Sequence, residues 1–152
     1  MNVFVLDYDP DVAAAYLVDK HVVKMMLETA QLLSTAVNLA GVDAPYKTTH
    51  ANHPCSLWVR ESRQNFDWLV RHGIAIAGEY TRRYGKVHKS ESIVRVLSAY
   101  SELFPDTSLT AFALAMPEEY KTSDAVESYR KYYTCAKRHI ASWKTSRPPW
   151  FV

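Results

Sequence analysis

Asp19 to Thr35 reads DKHVVKMMLETAQLLST, and within it His21, Lys24, Glu28, Gln31 and Thr35 recur at alternating spacings of three and four residues. On a helix turning about 100° per residue these five share one polar arc of roughly 80°, while Val22, Val23, Met26, Leu27, Leu33 and Val37 cover much of the remaining circumference. A helix so largely apolar is expected to be mostly buried. The narrow arc mixes imidazole, ammonium, carboxylate and amide, which suits the floor of a hydrogen-bonded pocket, because buried polar groups need partners. An ordinary amphipathic helix with a solvated stripe is the plainer alternative.

Outward from this helix, the sequence predicts a mainly α chain, a compact single-domain helical bundle over residues 1–152 with a short N-terminal strand. Asn2 to Leu6 is β-branched and aromatic enough for that strand, and Asp9-Pro10 has the form of an N-cap followed by proline at the first helical position. Helix-permissive residues run from Pro10 to Ala40, with a break expected near Asp19 and a stop at Gly41. Val42 to Asn52 is a loop. Pro54 opens a second helical stretch towards Tyr84-Gly85, which Gly73 and Gly78 are candidates to interrupt. Ser90 is expected to cap a third helix ending near Leu103, and Ser123 or Asp124 a last one reaching about Lys144. In that last helix Tyr129, Tyr132, Tyr133, Ile140 and Trp143 are packing candidates, and the tail SRPPWFV is expected to dock on the body.

Composition narrows the function classes. A hydrophobic content of 48%, with 10 Tyr, 5 Phe and 4 Trp against 4 Gly, argues for an ordered core and against low complexity. The formal charge of +2 is too small for a basic nucleic-acid coat, so any anion must be bound locally. Cys55 and Cys135 form no CxxC pair, which predicts neither a disulfide framework nor a thiolate zinc site, and a reducing cytoplasm is expected. No segment has the length of a signal h-region or a membrane span.

Three clusters carry candidate chemistry. The first is the polar arc of His21, Lys24, Glu28 and Gln31. In the second, HANHPCSLWVRESRQNF, residues His50, Asn52 and His53 precede a proline-started helix whose free N–H groups favour an anion. Arg60 and Asn65 lie further along it. Trp58 is either core or a stacking platform for a base, with core favoured. The third cluster, GEYTRRYGKVHK, holds Arg83, His88 and Lys89, and its simplest reading is a solvated face complementing a helix terminus. His21, His50, His53 and Glu28 have the chemistry for zinc but not a diagnostic spacing, and no HExxH occurs, so neither metal nor cofactor is expected. Glycine-rich phosphate loops and a GxSxG elbow are absent.

The motifs DKHVVKM, with Glu28 and Gln31 following, and HANHPCSLWVRES, with Asn65 and Trp68 following, resemble a widespread family of small tailed-phage proteins over nearly the whole chain. More distantly, the order of an N-terminal entry segment, a long central helix and a tyrosine-rich C-terminus is similar to phage pyrimidine-dimer DNA glycosylases of the endonuclease V type. That resemblance implies a nucleophilic α-amine at a processed N-terminus, a Schiff-base intermediate and a glutamate on the first long helix. Two departures stand out. Asn2 disfavours removal of the initiator methionine, and the place expected for the glutamate reads His21-Val22-Val23, with Glu28 a turn or more later. Both imply altered chemistry if the fold is shared.

Three functions compete on these residues. The concentration of positive and imidazole groups near helical pocket positions, without an overall basic surface, favours a phage counter-defence protein, in the cytoplasm of the infected bacterium, that sequesters or cleaves a small nucleotide immune signal such as a cyclic dinucleotide or an ADP-ribose derivative. Lys24, His50, His53, Arg60 and Arg83 would hold phosphates, Trp58 or a tyrosine would stack a base and Glu28 would read ribose or base edges. Cleavage would use His21 and His53 as the acid–base pair. The alternative is a DNA glycosylase or lyase receiving a modified or damaged base in the same pocket. A third reading is a non-catalytic binder of a host protein, anchored by Trp150 and Phe151. Whether the chain is an enzyme and whether it self-associates stay open at this level.

Overall fold

Asp9 caps the first helix as its place before Pro10 predicts. Its carboxylate accepts from the backbone N–H of Asp11 at 2.8 Å and of Val12 at 3.4 Å, and Pro10, with no N–H to leave unpaired, takes the first turn. The computed structural model describes residues 1–152. Its regular structure comprises α1 (Pro10–Tyr16), α2 (Asp19–Leu39), α3 (Pro54–Glu61), α4 (Arg63–Tyr84), α5 (Glu91–Leu97) and α6 (Ala125–Ala136). Short 3-10 turns occupy Ser98–Leu103, Glu118–Tyr120 and Arg138–Ile140. No helix is long and apolar enough to cross a membrane.

The expected N-terminal strand does not form. Val3, Phe4, Val5 and Leu6 are buried, but no neighbouring strand offers a ladder. Side chains and local contacts supply the backbone partners instead: Asn2 N–H donates to Glu28, Val3 N–H to the Asn2 side chain, Leu6 N–H to the Phe4 carbonyl, and the Leu6 carbonyl accepts from Arg130. Burial of the apolar residues is therefore met without a sheet.

Helix α2 is the central element, with 14 of its 21 residues buried. The predicted break before it falls at Leu17 and Val18, both extended. There the guanidinium of Arg83 donates to the Leu17 carbonyl at 2.7 Å and the Ala15 carbonyl at 3.0 Å, satisfying groups that the end of α1 leaves free. The same group pairs with Asp19 at 3.2 Å and Glu79 at 3.0 Å. Asp19 also accepts from Ser142 Oγ and Lys144 N–H, which ties the segment after α6 to the start of α2. Val23 and Leu27, expected among the covered residues of α2, are instead 41% and 36% exposed.

The stretch from Pro54 to Tyr84 is divided at Ser62, not at either glycine. Ser62 is extended (φ −152°, ψ 157°) and its hydroxyl caps α4 by accepting from Asn65 N–H at 3.0 Å. Gly85, in the left-handed region at φ 71°, ends α4 as expected. Asp124, not Ser123, caps α6, which stops at Ala136 rather than near Lys144. Ser90 precedes α5 without a side-chain capping bond; its hydroxyl pairs with that of Tyr46. The tail docks as anticipated, with Phe151 buried against Trp143 and Arg130 over the Trp150 ring.

Gly73 marks where α4 approaches α2 and α5. A methyl group there would stand 2.9 Å from Thr29 Cγ2 and 3.1 Å from Val94 Cγ1, whereas one at Gly78 meets nothing within 4 Å. Gly73→Ala is therefore expected to cost about 1–3 kcal/mol by overpacking, and Thr29→Ser to recover part of that loss. Gly78→Ala should gain about 0.5–1 kcal/mol of helix propensity. Urea titration of the four proteins tests the pair; equal behaviour of the two glycines would contradict this packing.

Candidate functional site

The N-terminal segment crosses α2 at Glu28, and the first two backbone nitrogens converge on its carboxylate. The Met1 amine lies 3.0 Å from Glu28 Oε1, and Asn2 N–H donates to the same oxygen at 3.0 Å. Both partners of this ion pair are nearly inaccessible, with side-chain exposures of 3% and 8%. A carboxylate in such surroundings needs charge-assisted donors, and the chain terminus provides them. Glu28, a turn or more beyond the place the resemblance implies for a glutamate, is nevertheless the residue that meets the chain terminus.

Asn2 fixes the segment. Its amide donates to the Ala115 carbonyl at 2.9 Å, and its Oδ1 accepts from Val3 N–H at 2.7 Å and from the Cys55 thiol at 3.8 Å. The Tyr129 hydroxyl, which donates to the Ala113 carbonyl, stands 3.4 Å from the same Oδ1. Burial pushes the Cys55 thiol up to about 11, so it stays protonated as a donor here.

Beside this junction is a cavity of about 300 Å³, at the small end of ligand-sized sites. Met1, Asn2, His21, Lys24, Glu28 and Lys137 supply its polar lining, and Phe4, Met25, Ala115 and Tyr132 the rest. Lys24 is exposed, and Lys137 lies with its Nζ 4.9 Å from the centre of the Tyr132 ring. Neither lysine joins any of the protein's ion pairs.

His21 has a defined protonation state. Its Nδ1 lies 2.6 Å from the Tyr133 hydroxyl, and that hydroxyl accepts from Val18 N–H at 3.3 Å. Phe4 stacks on the ring at 4.3 Å. Burial, reinforced by Lys137 and Lys24, lowers the His21 pKa to about 3, so the ring is neutral at physiological pH.

His53 caps α3, its Nδ1 accepting from Cys55 N–H at 3.1 Å. Partial burial, then the N-terminal amine and His50, hold its pKa below the usual histidine value, with Glu28 opposing. His50 and Asn52 are exposed on the loop before it, His50 in the left-handed region at φ 50°. Gln31 is half-buried one turn beyond Glu28.

The other sequence candidates are engaged elsewhere. Trp58 is core, packed against Trp68 and Phe112. Asn65 is fully buried and bridges the Trp58 carbonyl and Thr110. Arg60 donates to the Ala51 carbonyl and Ser56, and Arg83 is held in its buried ion pairs. His88 accepts from Ser90 N–H and donates to the Val23 carbonyl, while Lys89 is exposed. His21, His50, His53 and Glu28 do not gather as a metal-ligating group. The residues alone did not point to Phe4, Met25, Ala115 and Lys137, whereas the N-terminal amine was implied only by the glycosylase resemblance. Long-range contacts place Asn2 and Ala115, and nothing local signals them.

Buried neutral histidines make stability depend on pH. His72, fully enclosed with Nδ1 3.0 Å from the Pro10 carbonyl, has its pKa lowered by burial to about 4. Below pH 6.5 the unfolded chain binds protons that native His21 and His72 refuse until about pH 3 and 4. Their contribution is thus fully present above pH 6.5 and lost as pH falls, at up to roughly 1.4 kcal/mol per pH unit for each proton. Denaturation measured from pH 7.5 to 4.5 should show this decline, with a shallower slope for His21→Gln; an unchanged slope in that variant would place the proton uptake elsewhere.

Neither a curated protein nor a solved structure matches the chain. The family model described as pyrimidine dimer DNA glycosylase matches residues 1–92, a segment that contains the N-terminus, His21, Lys24, Glu28 and His53. That match covers more than half of the sequence, and the chain belongs to the pyrimidine dimer DNA glycosylase family.

Proposed function

We propose that the protein is a DNA glycosylase with lyase activity, acting on a damaged base through its N-terminal amine. One observation carries this reading: the buried Glu28 carboxylate is held 3.0 Å from the Met1 amine, beside a cavity open to a ligand. A free amine close to a carboxylate is what the chemistry requires. Glu28 takes a proton from the ammonium, and the nitrogen lone pair attacks C1′ of the target nucleotide. The N–C1′ bond forms as the glycosidic bond breaks, and the base leaves with the bonding pair and is protonated. Opening of the sugar ring gives the Schiff base, from which loss of the 3′ phosphate follows by elimination.

The geometry accommodates either N-terminal residue. With Met1 present the nucleophile is its amine; after its removal the Asn2 nitrogen, also 3.0 Å from Glu28 Oε1, becomes the α-amine. The neutral imidazole of His21 lines the cavity within reach of a substrate, and Lys24 and Lys137 offer positive charge there. The family description makes a pyrimidine dimer the first substrate to test. Capture of a nucleotide signal is less well supported, since Arg60 and Arg83, two of the cations expected to hold its phosphates, are committed to internal partners.

Borohydride reduction during incubation with duplex DNA, carrying either a thymine dimer or an abasic site, should trap a covalent adduct. Peptide mass measurement should place it on the N-terminal residue. Glu28→Gln is expected to lower the trapping rate by about 10²–10⁴-fold. An adduct on Lys24 or Lys137, or no adduct with either DNA, would refute the amine mechanism.

A further inference from the structure

The geometry points to Tyr129 as a positioning residue for the N-terminal amine, acting through the Asn2 side chain and the Ala113–Ala115 backbone. The inference rests on the glycosylase reading and adds what aims the nitrogen at its target. A nucleophile must be held close to its reacting position, and a displacement of about 1 Å can cost about a hundredfold in rate. A chain terminus has no backbone before it to provide that hold.

Regular structure does not secure the first residues either, since the first helix begins at Pro10. The Met1 amine has Glu28 as its one ion-pair partner. Glu28 is also the base, so the attraction between carboxylate and ammonium is lost once the proton has moved and the nitrogen becomes reactive. A hold that survives this step must be uncharged. Asn2 meets the requirement: its amide donates to the Ala115 carbonyl at 2.9 Å and its Oδ1 accepts from Val3 N–H at 2.7 Å, while its backbone N–H reaches Glu28 at 3.0 Å.

The Ala115 carbonyl is only as fixed as the segment that bears it, which has no regular structure. Tyr129, on α6, fixes that segment. Its hydroxyl donates to the Ala113 carbonyl at 2.5 Å and accepts from Ala115 N–H at 3.2 Å. The same oxygen lies 3.4 Å from Asn2 Oδ1, to which the Cys55 thiol donates at 3.8 Å. The Tyr129 side chain is completely buried, and its ring meets that of Phe4, a residue of the cavity wall, edge to face. Phenylalanine would fill the same space without the cost of burying a hydroxyl. Asn2, Ala113 and Ala115 belong either to the N-terminal segment or to the segment that holds it. What the phenolic oxygen adds to a phenyl ring is therefore order at the terminus.

The test reads the amine both without and with DNA, at a temperature where urea unfolding shows each protein to be fully native. Formaldehyde with cyanoborohydride methylates accessible amines, and peptide mass measurement resolves the N-terminus from the lysines. Tyr129→Phe should raise the N-terminal methylation rate by about tenfold through local opening and leave the lysine rates unchanged. In single-turnover borohydride trapping on abasic-site duplex, it should lower the limiting rate by about 10–10²-fold and keep half-saturation within about twofold of wild type. Cys55→Ala should act in the same direction more weakly and Cys55→Ser, which retains a donor to Asn2, less still; this pair carries the test if Tyr129→Phe does not fold. Wild-type methylation and trapping in Tyr129→Phe would overturn the proposal. So would weaker half-saturation at an unchanged limiting rate, or lysine methylation rising as much as that of the N-terminus. Failure of wild-type protein to trap any DNA would overturn the glycosylase reading instead, and the methylation rates would still show whether Tyr129 holds the amine.

Discussion

The Glu28 carboxylate sits in the interior of a helical protein and can do so only because donors come to it. Two of them, the Met1 amine and Asn2 N–H, belong to the first residues of the chain. That demand shapes the N-terminal segment. The backbone carries the amine to α2 without regular structure, and Val3 to Leu6 bury their side chains with no strand beside them. Asn2, Ala115, Cys55 and Tyr129 hold the segment by hydrogen bonds from three other parts of the chain. A buried ion pair is a weak source of stability because desolvation offsets much of the attraction. Here the pair also makes a chemical group of the terminus, which fits its retention for reactivity.

A second buried charge organises the other end of α2. Arg83 crosses to the α1–α2 junction, caps the carbonyls that α1 leaves free, and pairs with Asp19, which in turn holds Ser142 and Lys144. Lys137 lies on the segment between α6 and this anchor, and Tyr132 on α6 itself. The clamp and the catalytic candidates are thus parts of one arrangement: α2 carries Glu28, and the residues that close the far side of the cavity are anchored at the start of the same helix.

Much of this was readable from sequence, with one kind of information missing. Helical periodicity located α2 and its polar arc, and the local chemistry of Asp9-Pro10, Gly41 and Gly85 gave the helix limits, because those signals lie within a turn of the residues they govern. Val3 to Leu6 misled because burial and strand propensity produce the same pattern; only the absence of a pairing partner separates them. Arg83 was read as a surface cation because its partners, Ala15, Leu17 and Asp19, lie more than sixty residues away. The site suffered in the same way. His21, Lys24 and Glu28, which helical spacing puts on one face, line the same cavity, whereas Asn2, Ala115 and Lys137 join them only through tertiary folding.

The relation between the cavity and the amine also bears on why a modest net charge suits this site. A protein holding a free nucleotide must neutralise its phosphates inside the pocket, and the internal commitments of Arg60 and Arg83 leave few cations there. A protein working on a polymer can leave the phosphates outside, on a rim, and bring only sugar and base to the reacting nitrogen. Lys20 is exposed on α2, Lys24 and Lys137 stand in the lining itself, and Phe4, Met25 and Tyr132 give the cavity apolar walls. On the proposed glycosylase reading, Lys24 and Lys137 would meet the phosphates that flank the nucleotide at the amine, so a few lysines in the lining serve where an overall basic surface is lacking.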